Sequence, residues 1–189
     1  MSVEQRIEKF TAKLEEQTGV VFRVPDKQAA LNKLGEVLDQ EKVKTAMASA
    51  DEWISPLNLP DWGKQRGISI FTAFDHEDRS SYQEAVFNRA EAGVTGADFA
   101  VAESGTLVIV HDAGNPRLIS LAPVLHVAVV PVKNVVPVYE QVIEAVFTRH
   151  TLPSHVSFIT GPSMTADIQG TMFKGMHGPR RLTVILTEE

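Results

Sequence analysis

Two short apolar runs within residues 93–111 constrain the fold of this chain more than any other stretch. One run extends from Phe99 to Ala102, the other from Leu107 to Val110, and a polar break at Glu103 to Gly105 separates them. Short apolar runs that are rich in β-branched residues and punctuated by glycine indicate buried strands. A carboxylate between buried strands has to be solvated, hydrogen-bonded or paired, because an isolated buried charge is very costly. Glu103 is therefore the first candidate functional residue, with a tight turn and a solvent-facing glutamate as the alternative.

The rest of the sequence alternates between helix-like and strand-like segments. Helices are predicted within residues 1–19, at 27–40, from Ser80 or Ser81 to Ala92, and at 139–149. Strands are predicted at 20–24, 45–49, 68–72, 124–130, 156–160 and 182–187, and residues 51–66 are predicted to be irregular. This alternation indicates an α/β fold with a largely parallel sheet flanked by helices on both faces. The narrow apolar stripe of the first helix predicts that this helix lies at the edge of the domain or contacts a partner. A homo-oligomer is one such arrangement.

Length and composition limit the classes of function. A chain of 189 residues is predicted to form a single domain, 1–189. A net charge of −6 argues against broad nucleic-acid binding. Without cysteine, the chain cannot form disulfides or hold zinc or iron–sulfur clusters through thiolates. No apolar run has the length of a membrane span and the N-terminus lacks an apolar signal core, so we expect a cytoplasmic protein. Asp75, His76, Glu77 and Asp78 are adjacent but are interpreted as a solvated acidic loop, so no metal site is predicted.

Ligands of parallel α/β sheets usually bind beyond the carboxyl ends of the strands. The loops after Ala102 and Thr160 are predicted to lie there. The second loop continues into Gly161-Pro162-Ser163-Met164-Thr165, which we expect to open a short helix whose amides and hydroxyls suit a carboxylate or phosphate. The alternative is a capped turn, in which Ser163 and Thr165 satisfy backbone groups and Asp167 lies in water.

Three cationic or titratable side chains are further candidates. His177, in a glycine-rich turn, can act as a general acid or base because its ordinary pKa is near neutrality; the alternative is a hydrogen-bonding role. Arg117 can hold a carboxylate through two parallel hydrogen bonds, or form a surface ion pair. His126, inside an apolar strand, is interpreted as a core histidine with its hydrogen bonds satisfied.

Three sequence blocks together resemble the LUD domain family, most clearly over residues 93–187. The blocks are Thr95-Gly96-Ala97-Asp98-Phe99-Ala100-Val101-Ala102-Glu103-Ser104-Gly105-Thr106, Thr160-Gly161-Pro162-Ser163-x-Thr165-Ala166-Asp167-Ile168 and Gly175-x-His177-Gly178-Pro179. The resemblance implies a fold related to the sugar-phosphate isomerase and CoA-transferase group. It also implies a role in oxidising L-lactate to pyruvate beside two partner proteins that carry iron–sulfur clusters. The lack of cysteine suits an accessory subunit that has no cluster of its own.

The chain departs from the family pattern at three positions. Met164 stands where a basic residue is common, Gln169 where an acidic one is usual, and Ser104 where threonine is. The first two weaken the expectation that the family's charge arrangement is kept. The third preserves the hydroxyl.

A second resemblance concerns the turn at Glu103. Ala102-Glu103-Ser104-Gly105 is similar to the Ser-Glu-Asn-Gly turn of CoA transferases, whose glutamate forms a thioester with CoA. By that resemblance Glu103 would be a nucleophile. An acyl or CoA transferase is therefore one alternative function, and a non-catalytic small-molecule sensor or assembly protein is another.

The leading hypothesis is an accessory subunit of a lactate-oxidising complex with a pocket for a small organic acid. The candidate catalytic residues are Glu103 and His177. The candidate binding residues are Ser104, Gly105, Thr106, Arg117, Gly161, Ser163, Thr165, Asp167 and Gly178.

Overall fold

A six-stranded parallel sheet forms the centre of the molecule, which confirms the predicted α/β fold class. The computed structural model describes residues 1–148, 150, 152–166, 168 and 170–188. The helices are α1 (Val3–Glu16), α2 (Lys27–Gln40), α3 (Leu59–Arg66), α4 (Arg79–Glu84), α5 (Leu118–Leu121) and α6 (Tyr139–Phe147). The strands are β1 (Val20–Val24), β2 (Thr45–Ala48), β3 (Ser69–Phe71), β4 (Ala92–Gly96), β5 (Phe99–Val101), β6 (Thr106–His111), β7 (Leu125–Pro131), β8 (Val135–Val136), β9 (His155–Ile159), β10 (Met164–Ala166), β11 (Met172–Lys174) and β12 (Arg181–Thr187).

The central sheet has the strand order β1-β12-β7-β4-β2-β3, and every neighbouring pair is parallel. All seven residues of β7 are buried. A strand that is covered on both faces is expected to be apolar throughout rather than alternating, and this explains why β7 is apolar at every position except His126.

Helices α2 and α3 cover one face of the central sheet. Asp26 caps α2 by accepting a hydrogen bond from the Ala29 amide at 2.7 Å, and Leu34 and Leu38 are fully buried against the sheet. The prediction that residues 51–66 are irregular is wrong over α3. That helix has Pro60 in its first turn and ends at Gly67, whose φ is +70°, and a proline and a glycine at these places are a helix's start and stop signals.

The other face is covered partly by a second sheet, with the order β8-β5-β6-β9, and not by helices alone. Helix α1 begins at a capping box formed by Ser2 and Gln5, and its buried residues Ile7, Phe10 and Leu14 belong to the core between the sheets. The narrow stripe of α1 therefore packs within the chain itself. Gly105, with φ of +69°, allows this contact, because a Cβ there would lie 2.4 Å from the Leu14 backbone nitrogen.

The sequence analysis did not predict β4, and it extended the preceding helix to Ala92. Asp78, rather than Ser80 or Ser81, caps α4, and a π-helical turn from Ala85 to Arg89 ends the helical segment. Strand β4 has small side chains because α5 crosses it closely. A Cβ on Gly93, for example, would lie 1.8 Å from the Ile119 carbonyl oxygen. Its small residues therefore gave no apolar run to recognise.

The prediction that the segment after Thr160 opens a short helix is wrong. Strands β10 and β11 form a two-stranded antiparallel hairpin, in which Thr165 pairs with Phe173. No helix in the described ranges combines the length and apolar character needed to cross a membrane.

Candidate functional site

A pocket of about 230 Å³, here called the histidine pocket, lies at the amino ends of β7 and β12. Its polar lining comes from Ser120, His126, Thr160, Gly161, Ser163, His177 and Gly178. Its apolar lining comes from Leu121, Phe158, Ile159, Pro179 and Leu182. Four of the sequence-predicted site residues therefore meet in one place: Gly161, Ser163, His177 and Gly178.

The position of this pocket differs from the predicted one. The loops after Ala102 and Thr160 follow β5 and β9, which belong to the second sheet and pair there with the antiparallel strand β6. They do not extend from the carboxyl ends of the parallel sheet. The rule for parallel sheets therefore does not apply to them, and the pocket forms between the two sheets' strands and the β10–β11 hairpin.

His126 is the buried titratable group of this pocket, with no exposed side-chain surface. Its Nε2 lies 2.8 Å from the Thr95 hydroxyl, whereas Nδ1 has no hydrogen-bond partner among the described residues. Burial lowers the pKa of His126 to about 3, and the nearby His111 contributes to the lowering. The imidazole is therefore neutral near pH 7. Its predicted burial is confirmed, but only one of its two ring nitrogens is satisfied.

Residues at the two ends of the β10–β11 hairpin form one side of the pocket, and a Cβ on Gly178 would lie 3.3 Å from the Leu121 carbonyl oxygen of α5. The Ser163 amide donates to the Pro179 carbonyl at 2.8 Å, and the Gly175 amide donates to the Ser163 carbonyl at 2.8 Å. A Cβ on Gly178 would lie 3.0 Å from the Ser163 Cβ. These contacts hold Ser163 beside Gly178, next to the exposed His177.

A cluster of four hydroxyl groups adjoins the pocket through Thr160. The buried Thr106 hydroxyl lies 2.8 Å from that of Ser104, 2.6 Å from that of Tyr139 and 2.9 Å from that of Thr160. Ser104 also donates to the Tyr139 hydroxyl at 2.9 Å. The predicted residues Ser104 and Thr106 thus support the pocket from behind. Tyr139 was not predicted, because it begins an amphipathic helix and no local pattern marks its hydroxyl.

The other predicted residues lie outside the pocket lining. Glu103 accepts a hydrogen bond from the Tyr139 amide at 2.8 Å, and it thereby caps α6, whose own N-cap residue, Val138, has no capping side chain. Arg117 is exposed and lines a separate surface depression with Arg79 and Tyr82. Gly105 contacts α1, and Thr165 lies in the hairpin. Asp167, like the departure at Gln169, falls outside the described residues.

Two features limit the chemistry of the histidine pocket. In the described part of the chain, neither lysine nor arginine lines it. Nor does any group of three or more His, Asp or Glu in those ranges have a geometry that could hold a metal ion. The groups available to a ligand are hydroxyls, imidazoles and backbone amides beside an apolar wall.

Comparison with known proteins gives a consistent family relationship. The model of the LUD domain matches residues 7–187. The chain is 31% identical over 170 residues to lactate utilization protein C 1 of Bacillus mycoides, covering 86% of this chain and 71% of that protein. It is 31% identical over 163 residues to lactate utilization protein C of Halalkalibacterium halodurans, covering 79% and 70% of the two chains. It is 40% identical over 136 residues to lactate utilization protein C of Anoxybacillus flavithermus, covering 72% and 60%.

A solved structure supports the fold. The crystal structure of a DUF162 family protein from Deinococcus radiodurans superposes with a TM-score of 0.71, covers 99% of both chains and shares 20% sequence identity. At that identity the likeness concerns the fold alone.

Proposed function

The chain belongs to the LUD domain family, and from this premise we propose that it is a component of a lactate-utilisation system whose histidine pocket binds a small organic acid. The names of its relatives support the first half of this proposal. The observation that carries the second half is the unsatisfied Nδ1 of the fully buried, neutral His126. A buried polar atom normally has a hydrogen-bond partner, and a bound ligand would supply one.

The lining suits a small hydroxy acid such as L-lactate. Hydroxyls of Thr160 and Ser163 and the ring of His177 offer hydrogen bonds to a carboxylate and a hydroxyl group. The side chains of Leu121 and Leu182 offer an apolar surface to a methyl group. Since Arg117 lies elsewhere, the acid would be held by neutral donors, so we expect modest affinity.

The proposed role is that of an accessory subunit that works with iron–sulfur partner proteins. Oxidation of lactate releases two electrons, and a chain without cysteine has no thiolates to hold an iron–sulfur cluster. Partners that carry clusters would accept those electrons. The contribution of this chain would be to bind the acid, with His177 placed to exchange a proton with it.

Deletion of this chain in its native cells tests the role. We expect lactate-dependent dye reduction to be lost in extracts and restored by the wild-type gene, and an affinity-tagged copy to co-purify with iron-containing proteins. Unchanged lactate oxidation together with purification as a single protein would contradict the complex. Lactate binding without any effect on oxidation would instead indicate the sensor.

Calorimetry with L-lactate tests the pocket. We expect binding to the wild-type protein and a loss of about tenfold or more in affinity for Ser163→Ala and His177→Ala. Ser80→Ala, an exposed serine of α4, is the matched control and should bind as the wild type does. Equal binding by all variants would show that lactate does not occupy this pocket.

The alternative function, an acyl or CoA transferase, predicts the transfer of a group from an acyl-CoA to Glu103. Incubation with acetyl-CoA followed by peptide mass spectrometry detects it. We expect no adduct, because one carboxylate oxygen of Glu103 accepts a hydrogen bond from the α6 amide and Glu103 is absent from the described pocket lining. An adduct on the Glu103 peptide would favour the transferase over our proposal.

A further inference from the structure

The central sheet has a topological switch point between β2 and β4. These strands are neighbours, but from β2 the chain passes through α3 to β3 on one side of the pair, whereas from β4 it passes through β5 and β6 of the second sheet and α5 to β7 on the other side. In open parallel sheets such a divergence leaves a crevice beyond the carboxyl ends of the two strands, and ligands bind there. This place is distinct from the histidine pocket, which lies at the amino ends of β7 and β12.

A second pocket, here called the carboxylate pocket, occupies this crevice. It has a volume of about 270 Å³ and is lined by residues that follow β2 and by the end of β4. Four carboxylates line it: Asp51, Glu52, Asp98 and Asp112. None of the described lining residues is a lysine or an arginine, and the Lys133 ammonium lies 5.0 Å from the ring centre of the lining residue Trp53, so the four carboxylates leave the pocket with a net negative charge.

Asp51 organises the carboxylate pocket. Its Oδ1 accepts hydrogen bonds from the Trp53 and Ile54 amides at 2.9 and 3.0 Å. Its Oδ2 accepts from the Ser49 hydroxyl at 2.6 Å, the Gly96 amide at 2.9 Å and the Asn115 amide group at 3.0 Å. Five donors thus occupy one carboxylate and fix the ends of β2 and β4 in place. Asp51 therefore builds the site. Asp98 Oδ2 also accepts from the Val110 amide at 2.8 Å, and Asp112 Oδ1 accepts from the Gly114 and Asn115 amides at 2.8 and 2.9 Å, so the backbone holds these two carboxylates in the lining.

Asn115 supplies an independent sign of a ligand. Its side chain is only 3% exposed and lines the pocket. Since its Nδ2 donates to Asp51, its other end must be the acceptor Oδ1, and this oxygen has no hydrogen-bond partner in the described part of the protein. A buried carbonyl oxygen without a partner is costly. A hydrogen-bond donor in the pocket would remove that cost.

The net negative charge of the lining, together with an unsatisfied carbonyl oxygen, favours a positively charged hydrogen-bond donor as the ligand. The carboxylates do not converge as metal ligands do, because no described group of three acidic or histidine side chains could hold a metal ion. An organic cation, which can span separated acceptors, fits better. Trp53, in the pocket lining, has the Lys133 ammonium 5.0 Å from its ring centre, so an ammonium group of the chain itself already contacts this ring.

We propose that the carboxylate pocket is a binding site for a small organic ammonium compound, formed by Glu52, Asp98, Asp112 and Asn115 around the Asp51 hub. Nothing in this proposal depends on lactate binding, since the two pockets have no lining residue in common.

Indole NMR tests the proposal with 1,4-diaminobutane as the probe. The chain has two tryptophans, and Trp62 lies against α2 and the central sheet, outside the carboxylate pocket. We expect the Trp53 indole signal to shift to saturation, with a dissociation constant of about 1 mM or tighter, whereas the Trp62 signal stays in place. Trp62→Phe assigns the two signals.

Charge-matched variants separate a site from general attraction. Glu52→Gln should weaken binding of 1,4-diaminobutane by about two- to fivefold, the range of one partly solvated ion pair. Glu8→Gln changes the net charge equally on the exposed face of α1 and should leave binding unchanged. A stationary Trp53 signal, equal shifts with sodium or magnesium chloride at matched ionic strength, or equal weakening by both variants would each overturn the proposal.

Discussion

The histidine pocket and the carboxylate pocket differ in the charge and the hydrogen bonding of their central polar groups, His126 and Asp51. In the histidine pocket the buried titratable group is kept uncharged, with a single hydrogen bond from or to Thr95. In the carboxylate pocket the central group is an acid held by five donors. A neutral ring tolerates an incomplete hydrogen-bond set at moderate cost, whereas a carboxylate withdrawn from water needs nearly all of its acceptor positions filled.

One strand serves both pockets. The Thr95 hydroxyl in β4 contacts His126, and the amide of the next residue, Gly96, donates to Asp51. Thr95 contacts the histidine pocket with its side chain and Gly96 contacts the carboxylate pocket with its backbone amide, so neighbouring positions of β4 support both pockets. The contrast between the pockets predicts that loss of Asp51 destabilises the protein more than any change around His126.

Asp51→Ala should have the largest effect. It removes all five hydrogen bonds at once and leaves the partly buried amide of Gly96 without its acceptor, so we expect the free energy of unfolding to fall by about 4 kcal/mol. Urea unfolding measures the change. Glu52→Ala, on the adjacent exposed residue, should change it by less than about 0.5 kcal/mol. Similar values for the two variants would contradict the role of Asp51 as a hub.

Gly93→Ala should disturb the histidine pocket through α5, which lies against Gly93. The new Cβ would collide with the Ile119 carbonyl oxygen, 1.8 Å away, and displace α5, which carries Ser120 and Leu121 of the lining. Such overpacking should cost about 3 kcal/mol and abolish L-lactate binding. Gly67→Ala is the control: nothing lies within 4 Å of its Cβ, although its φ of +70° is strained for alanine. It should cost about 1 kcal/mol and keep binding; loss of binding there would refute the steric argument.

The sequence predicted the fold and one side of the histidine pocket because those signals are local. Strand β1 and helix α2 match their predicted bounds, since apolar period and flanking Asp26 and Pro25 define them within a few residues. The glycines near His177 and Ser163 likewise predict turns from the local sequence alone, whatever the position of those turns in the fold. These are contacts between residues close in the chain.

The remaining parts depend on contacts that no local pattern contains. Strand β4 escaped detection because its small residues are required by α5, which lies far along the chain. Asp51 binds Gly96 and Asn115 across 45 and 64 residues, so nothing near it in the sequence marks it as a hub. The one available signal was its place three residues after the end of the buried strand β2. The unsatisfied Nδ1 of His126 is likewise a property of packing alone.

Acid should weaken the fold through His126. Its pKa is about 3 in the folded protein and near 6.5 in the unfolded chain, so the unfolded state binds the extra proton as the pH falls below 6.5. Between pH 7 and pH 5 the free energy of unfolding should fall by about 2 kcal/mol from this group. Burial also lowers the pKa of His111, which adds to the fall.

Urea unfolding at both pH values measures this effect, and His126→Gln isolates it. The variant should be less stable near pH 7 but should lose distinctly less stability on acidification, with the residual loss assigned to His111. An equal loss in the variant and the wild type would show that His126 is not the buried neutral group we describe.

Two tyrosines allow the smallest effect to be measured against a matched control. Tyr139→Phe removes a hydroxyl that bonds Ser104 and Thr106, but Thr106 keeps Ser104 and Thr160 as partners. The ring contact with Phe158, 5.9 Å between centres, is also kept. We therefore expect a loss of about 1 kcal/mol in unfolding free energy. The Tyr82 hydroxyl is buried without a hydrogen-bond partner in the described ranges, so Tyr82→Phe should be neutral or slightly stabilising. Equal losses in the two variants would mean that the hydroxyl cluster behind the histidine pocket contributes no stability of its own.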